Sequence, residues 1–372
     1  MKSISKTIAC PHLAPPSGPP EPTSEVIKVA PGPCLDLAEL RRTLSAGPPP
    51  ELWRHVGACL RCARAVATLD RSVVRRALTA CGGPMRVADP ADYEGKAPLG
   101  GGRTYRLFRA FDRRRGAEVV LKELPARAEL ADPDQRPLLE ACLLREASLL
   151  AGLRHPAIVT LLEAGEWRRT GEAFYATAPA PGVALRDAAP RSRGRDGRLA
   201  LLRAFAAVAD AVAYAHARGV AHRDINPGAI VYDEASGRAS IVDWSAARPF
   251  TRRSPGDAVC DAAELPRGGP NVAALGTPGF AAPERASPRR DHRADIFSLG
   301  ATLHFVATGR AADAGPEGPS ASAGARDDRR GEAAACPEPL RAIVAKATAD
   351  DPESRHRSAD ELASELRRCL RR

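Results

Sequence analysis

Four stretches of this 372-residue chain hold side chains in arrangements that could do chemistry. The first is Leu99-Gly100-Gly101-Gly102, where three residues without a Cβ let backbone N–H groups come close to an anion such as a phosphate. The second is Lys122, which ends the run Val119-Val120-Leu121-Lys122. The chain has 55 basic residues but only six lysines, at 2, 6, 28, 96, 122 and 346, so a lysine here stands out against arginine. A compact ammonium fits between phosphate oxygens and a carboxylate where a planar guanidinium does not. The third stretch is His222-Arg223-Asp224-Ile225-Asn226-Pro227-Gly228-Ala229-Ile230, in which charged groups are followed by turn-forming residues. The fourth is Cys34 followed by His55-x-x-x-Cys59-x-x-Cys62. Helical spacing puts His55 and Cys59 on one face, with Cys62 continuing it. Four such ligands close a tetrahedral zinc site, and buried reduced cysteines beside a coincidental histidine are the alternative.

The elements that must position these residues follow from periodicity. Val119–Leu124 alternates as a strand, Leu138–Leu153 has a helical repeat, and Leu199–Arg218 and Ile296–Thr308 are apolar helices. Strands early and helices late give an α+β, two-lobed architecture. Residues 1–30, rich in Pro and Ser, read as a disordered arm. Residues 31–81 form a small helical module around the Cys and His set, with leucines 35, 37, 40, 44, 52 and 60 as a core that needs the metal. Residues 82–92 are a linker and 93–370 the main domain, with an N-lobe at 93–178 and a C-lobe at 183–370. Within the C-lobe, residues 311–336 are poor in large apolar side chains and are expected to be a mobile insertion.

Composition narrows the function classes. Hydrophobic residues make up 44% of the chain, ample for a packed core. The net charge of +10 comes from arginines scattered among acidic residues, and with aromatics at 4% there is no basic patch interleaved with stacking rings. Nucleic acid is therefore not an expected partner. No uninterrupted apolar run approaches eighteen residues, so no membrane span is expected, and the first residues lack the apolar core of a secretory signal. Nine dispersed cysteines do not suggest a disulfide framework. The expected location is the cytoplasm.

The nonapeptide at 222–230 resembles the catalytic loop of protein kinases, whose Asp is the catalytic base and whose Asn, five residues further on, holds a magnesium ion. Further segments extend the resemblance in the family's order. Gly100 and Gly102 match two glycines of the glycine-rich loop, with Tyr105 at the third position. Val119–Lys122 resembles the strand that presents the phosphate-gripping lysine. Leu144-Arg145-Glu146-Ala147 resembles the helix whose glutamate pairs with that lysine. Phe174–Gly182 resembles the hinge strand, with Thr177 at the gatekeeper position and Ala178-Pro179-Ala180 as the hinge. Asp243-Trp244-Ser245 resembles Asp-Phe-Gly, whose Asp is a magnesium ligand. Leu275–Glu284 resembles the end of the activation segment in serine/threonine kinases, with Thr277 beside the catalytic Asp. Asp295–Gly300 resembles the helix start that braces the catalytic loop, and Arg355 the arginine that pairs with Glu284. The module at 31–81 is similar to the zinc-binding module of bacterial anti-sigma factors.

The resemblance implies a bacterial-type serine/threonine kinase that uses ATP and Mg²⁺, with Zn²⁺ in the N-terminal module. Asp224, Lys122, Glu146, Asn226 and Thr277 would serve catalysis. Gly100, Gly102, Lys122, Thr177, Ala178, Ala180 and Asp243 would bind nucleotide, and Asp243 would hold Mg²⁺. Its partners would be ATP and a protein substrate or signalling protein, without a membrane. Four positions depart from the pattern. Ala229 replaces the metal-binding Asn, and a methyl group cannot coordinate a hard cation. Asn226 stands where serine/threonine kinases carry a lysine, Val120 replaces the alanine beneath adenine, and Ser245 replaces glycine. The expectation is compromised phosphoryl transfer, with a non-catalytic pseudokinase scaffold as the alternative.

Overall fold

The computed structural model describes residues 85–101, 105–126, 136–192, 194–250, 276–286, 292–310, 338 and 340–371. The zinc set of Cys34, His55, Cys59 and Cys62, the glycine Gly102 and the insertion at 311–336 lie outside the described residues.

The N-terminal part is a six-stranded sheet ordered β1-β5-β6-β4-β3-β2. Its strands are β1 (Met85–Ala88), β2 (Tyr93–Gly101), β3 (Arg106–Asp112), β4 (Ala117–Glu123), β5 (Leu161–Trp167) and β6 (Ala173–Thr177). Helix α1 (Arg136–Ala151) packs on β5 and β6. The strand alternation in β4 decides where chemistry can happen. Val119 and Leu121 are fully buried in a core with Trp167 and Phe174, whose rings stack 4.0 Å apart. Val120 and Lys122 therefore face the other way, toward the cavity between the lobes.

Residues 85–88, within the stretch 82–92 expected as a linker, form a strand of the sheet. β1 pairs in parallel with β5, from Met85 opposite Ala164 to Ala88 opposite Trp167. A turn at Pro90–Asp92 follows, capped by the Asp89 side chain, which accepts from the Ala91 N–H at 3.0 Å. The approach of β1 requires a glycine beneath it: a Cβ on Gly165 would stand 2.1 Å from the Arg86 carbonyl oxygen. Four residues are too few for periodicity to reveal such a strand.

The C-terminal part is helical, with small sheets at its top. Two-residue β7 (Val183–Ala184) leads into α2 (Leu185–Ala188) and the long α3 (Arg195–Ala217). Then come β8 (Val220–Ala221), β9 (Ile230–Asp233), β10 (Arg238–Ile241) and β11 (Arg248–Pro249). The strands assemble as β10-β9-β7 and β11-β8. Helices α4 (Arg293–Thr308), α5 (Leu340–Ala347) and α6 (Ala359–Cys369) follow among the described residues. α6 starts on an N-cap: the Ser358 hydroxyl accepts from the Glu361 N–H at 3.1 Å.

α3 is long and apolar enough by length and composition to cross a membrane, although no uninterrupted apolar run suggested it. Its apolar positions are committed elsewhere: Leu201, Phe205, Val208 and Val212 recur at helical spacing and are buried in the core against α4 and α6. Such burial is what a core helix of a folded domain requires.

Candidate active site

The site forms where β4, α1, the hinge after β6, the loop between β8 and β9, and the segment after β10 converge. Lys122 is 5% exposed, and Glu146 on α1 is 1% exposed. The Lys122 ammonium donates to Glu146 Oε1 at 3.0 Å and Oε2 at 2.8 Å, and to Asp243 Oδ1 at 3.2 Å. Burial works against this ammonium, but the Glu146 and Asp243 carboxylates outweigh it and hold the lysine pKa above its ordinary value. Burial pushes the Glu146 carboxyl upward against the pull of Lys122, and the Tyr175 hydroxyl also stands against it. The short two-oxygen contact is that of an ion pair. Asp243 turns its outer side to the cavity, and the Lys122 charge draws its pKa down to about 2. Its φ of +56° lies in the left-handed region, which among side-chain-bearing residues Asp and Asn adopt most readily.

Lys122 and Asp243 line a cavity of about 580 Å³, within the usual range for small-molecule sites. Its outer end is the hinge: Thr177, Ala178, Pro179 and Ala180 line it, with Val120 and Leu99 alongside. The hinge is tied down where the Ala178 N–H donates to the Thr160 carbonyl at 2.9 Å. It ends at Gly182, where φ is +109° and a Cβ would fall 2.0 Å from the Tyr232 carbonyl oxygen, so only glycine fits. Gly100 lies on β2 opposite Leu107, between the cavity-lining Leu99 and Gly101.

The loop after β8 carries Asp224. Asp224 Oδ1 accepts from both the backbone N–H and the hydroxyl of Thr277, at 2.8 and 2.7 Å. The loop is braced from below by Asp295, which is 1% exposed and accepts from the backbone N–H groups of His222 and Arg223, both at 2.7 Å. The His216 ring donates to the same carboxylate at 2.8 Å. Burial penalises that carboxylate, but the His216 hydrogen bond, the His216 and His222 rings and the Arg223 N–H hold its pKa below the ordinary value. His222 in turn donates to the Val242 carbonyl at 3.1 Å and packs on Trp244, which is 1% exposed. Trp244 thus fills core space beside Asp243.

Asn226 and Ala229 behave differently. The Asn226 carboxamide is engaged inside its own loop, donating to the Asp224 carbonyl at 3.0 Å and accepting from the Gly228 N–H at 2.8 Å. The sequence Asn-Pro-Gly carries the signal for this local turn. Ala229 is 4% exposed, and its carbonyl accepts from the Val242 N–H at 2.8 Å. Ala229 thus contributes backbone bonding and a methyl group.

Sequence reasoning missed the role of Tyr105. At the third glycine position it was expected only as a missing glycine, yet its ring lies against the Lys122 ammonium, 4.7 Å from centroid to Nζ. No periodicity or motif distinguishes an inward tyrosine from an outward one at such a position.

A β-sheet lobe over a helical lobe, with a lysine–glutamate pair and two aspartates around the cleft, is the arrangement of a protein kinase. Residues 93–366 match the family model for the protein kinase domain, and the chain belongs to that family. It is similar to a probable serine/threonine-protein kinase of Streptomyces coelicolor, 30% identical over 291 residues, covering 75% of this chain and 40% of the relative. It is also similar to the serine/threonine-protein kinase PknB of Mycolicibacterium smegmatis, 32% identical over 301 residues, covering 76% and 43%. A DNA damage-responsive serine/threonine-protein kinase, RqkA, of Deinococcus radiodurans is 31% identical over 220 residues, covering 58% and 30%. The chain therefore spans less than half the length of these curated relatives.

The family implies ATP and Mg²⁺. The cavity and hinge fit a nucleotide base, and Lys122 fits its phosphates. For the metal, Asp243 supplies a carboxylate, whereas Ala229 supplies no side-chain oxygen. Among the described residues no group of three or more His, Cys, Asp or Glu side chains is placed to hold a metal.

Proposed function

We propose that this chain binds ATP and transfers its γ-phosphate to serine or threonine hydroxyls of a protein, slowly, because the second metal-binding side chain is missing. The observation that carries this reading is the Lys122 ammonium held between Glu146 and Asp243 at 2.8–3.2 Å. A compact ammonium held this way is placed to meet phosphate oxygens, which a planar guanidinium would not fit. Mg²⁺, when bound, would neutralise phosphate charge, with Asp243 as its ligand from the protein. Thr277 fixes Asp224 through Oδ1, which leaves Oδ2 to receive the proton of the attacking hydroxyl. Ala178 and Ala180 present hinge backbone to the adenine edge. Loss of one electrostatic contact to developing charge lowers a rate by roughly 10²–10³, and the Asn226 carboxamide, engaged in its own loop, does not supply a substitute.

Phosphate incorporation from labelled ATP, compared between wild type and Asp224→Asn, tests the reading. Incorporation lost in the variant supports it, and equal incorporation would leave a nucleotide-binding scaffold. A thermal shift with ATP that needs Mg²⁺ and disappears in Lys122→Ala would support nucleotide use independently. The zinc reading of Cys34, His55, Cys59 and Cys62 stands on sequence, and metal analysis of the full chain beside Cys59→Ser tests it.

A further inference from the structure

The inner end of the cavity holds an aromatic ring where the family motif has no side chain. Tyr105 begins the segment leading into β3, packs against the main core cluster, and lines the same cavity as Lys122, Cys142 and Asp243. Its ring centroid lies 4.7 Å from Lys122 Nζ, within the range of an attractive cation–π contact. The three carboxylate oxygens of Glu146 and Asp243 already accept from this ammonium. The ring therefore covers a side that a glycine at 105 would leave open. Lys122 is 6% exposed along its side chain as a result of all these neighbours together. Tyr105 is partly buried, and burial of its phenol, then the nearby Cys142 and Glu146, push its pKa well above the ordinary value, so the group is a neutral phenol at physiological pH.

A nucleoside triphosphate reaching for Lys122 would meet this ring, whereas a nucleoside, which has no phosphates, would not. The hinge end, some distance along the cavity, is unaffected. We propose that Tyr105 is a specificity determinant that competes with nucleotide phosphates for the Lys122 ammonium, so that the cavity binds adenosine about as tightly as ATP. The proposal deepens the nucleotide-binding reading above and rests on it. The binding element is the ring, since the contact needs the π face and not the hydroxyl.

The test uses the full chain with adenosine and ATP·Mg²⁺ as probes, by titration calorimetry, on wild type, Tyr105→Phe and Tyr105→Gly, with Tyr105→Ala in place of the glycine variant if that variant does not fold. The expected result is adenosine and ATP dissociation constants within about threefold in wild type and in Tyr105→Phe. In Tyr105→Gly, ATP binding tightens by roughly tenfold or more while adenosine is unchanged, the size expected from losing a desolvated cation–π contact. A second readout needs no nucleotide: acetylation of Lys122 by an N-hydroxysuccinimide ester, followed by mass spectrometry, should be several-fold faster in Tyr105→Gly and unaltered in Tyr105→Phe. Equal ATP affinity and equal Lys122 labelling in wild type and Tyr105→Gly overturn this proposal alone. No binding of either probe to any of the chains overturns nucleotide recognition, and this proposal with it.

Discussion

The base of the C-lobe and the cleft between the lobes are both built from buried charges, but they differ in completeness. At the base, Arg355 is 2% exposed and all its bonding directions are answered. It donates to Glu284 Oε1 and Oε2 at 2.7 and 2.8 Å, and to the carbonyls of Ala349, Arg293 and Asp350 at 2.7, 3.0 and 3.1 Å. Asp295 is likewise filled by His216, His222 and Arg223. In the cleft, the lysine pair is kept, while a methyl stands at Ala229 and a ring at Tyr105. The groups that hold the base and those that would do chemistry are thus largely different residues, joined at Asp295, which ties down the loop carrying Asp224.

The contrast can be broken in several ways. The largest effect is expected from Asp224→Asn, which removes the proposed base and should lower phosphate incorporation by about 10²–10⁴ with little change in melting temperature. Arg355→Ala should do the reverse in kind: it strands Glu284 and unties three carbonyls, and should destabilise the domain by about 3–5 kcal/mol in denaturant titrations. If Arg355→Ala left stability intact and abolished only turnover, the separation would fail. Ala229→Asn restores a metal-binding oxygen and should raise incorporation by roughly 10²–10³. An unchanged rate would move the defect from Ala229 to the lysine position at Asn226. Gly165→Ala forces its Cβ into the Arg86 carbonyl, and should cost about 1–3 kcal/mol by overpacking while sparing nucleotide binding.

The smallest effect concerns pH. Asp243 has its pKa lowered from 3.8 to about 2, chiefly by Lys122. Its folded value lies below its unfolded one, so its contribution to stability is full above about pH 4 and is lost as pH falls through about 2. Lys122→Met should return the Asp243 midpoint toward 3.8 in a carboxyl NMR titration. A midpoint unmoved by that change would assign the shift to Ser245, the other hydrogen-bonding side chain on Asp243.

Much of the site was legible because its parts are tied to sequence motifs. Lys122, Glu146 and Asp243 meet in one cluster and Asp224 meets Thr277 in a second, all on segments that the resemblance singled out, and Asp295 accepts from the backbone of the loop between them. What escaped reading was set by tertiary geometry rather than by pattern. The inward turn of Tyr105 depends on the space left beside Lys122, which no local signal encodes. The Asn226 amide offered a readable clue, since Asn-Pro-Gly favours a side chain bonded to its own turn. β1 escaped because four residues carry no periodicity, and its evidence lies seventy-odd residues away, in the missing side chain of Gly165.

That short strand also bears on solubility. It lies ahead of the segment matching the family model, which starts at residue 93, yet it seals the flank of β5. A fragment cut at the family boundary would leave a row of bare N–H and C=O groups along β5, a template onto which another chain's strand could add. Self-association of such a fragment would reflect where it was trimmed, and keeping residues 85–92 should suppress it.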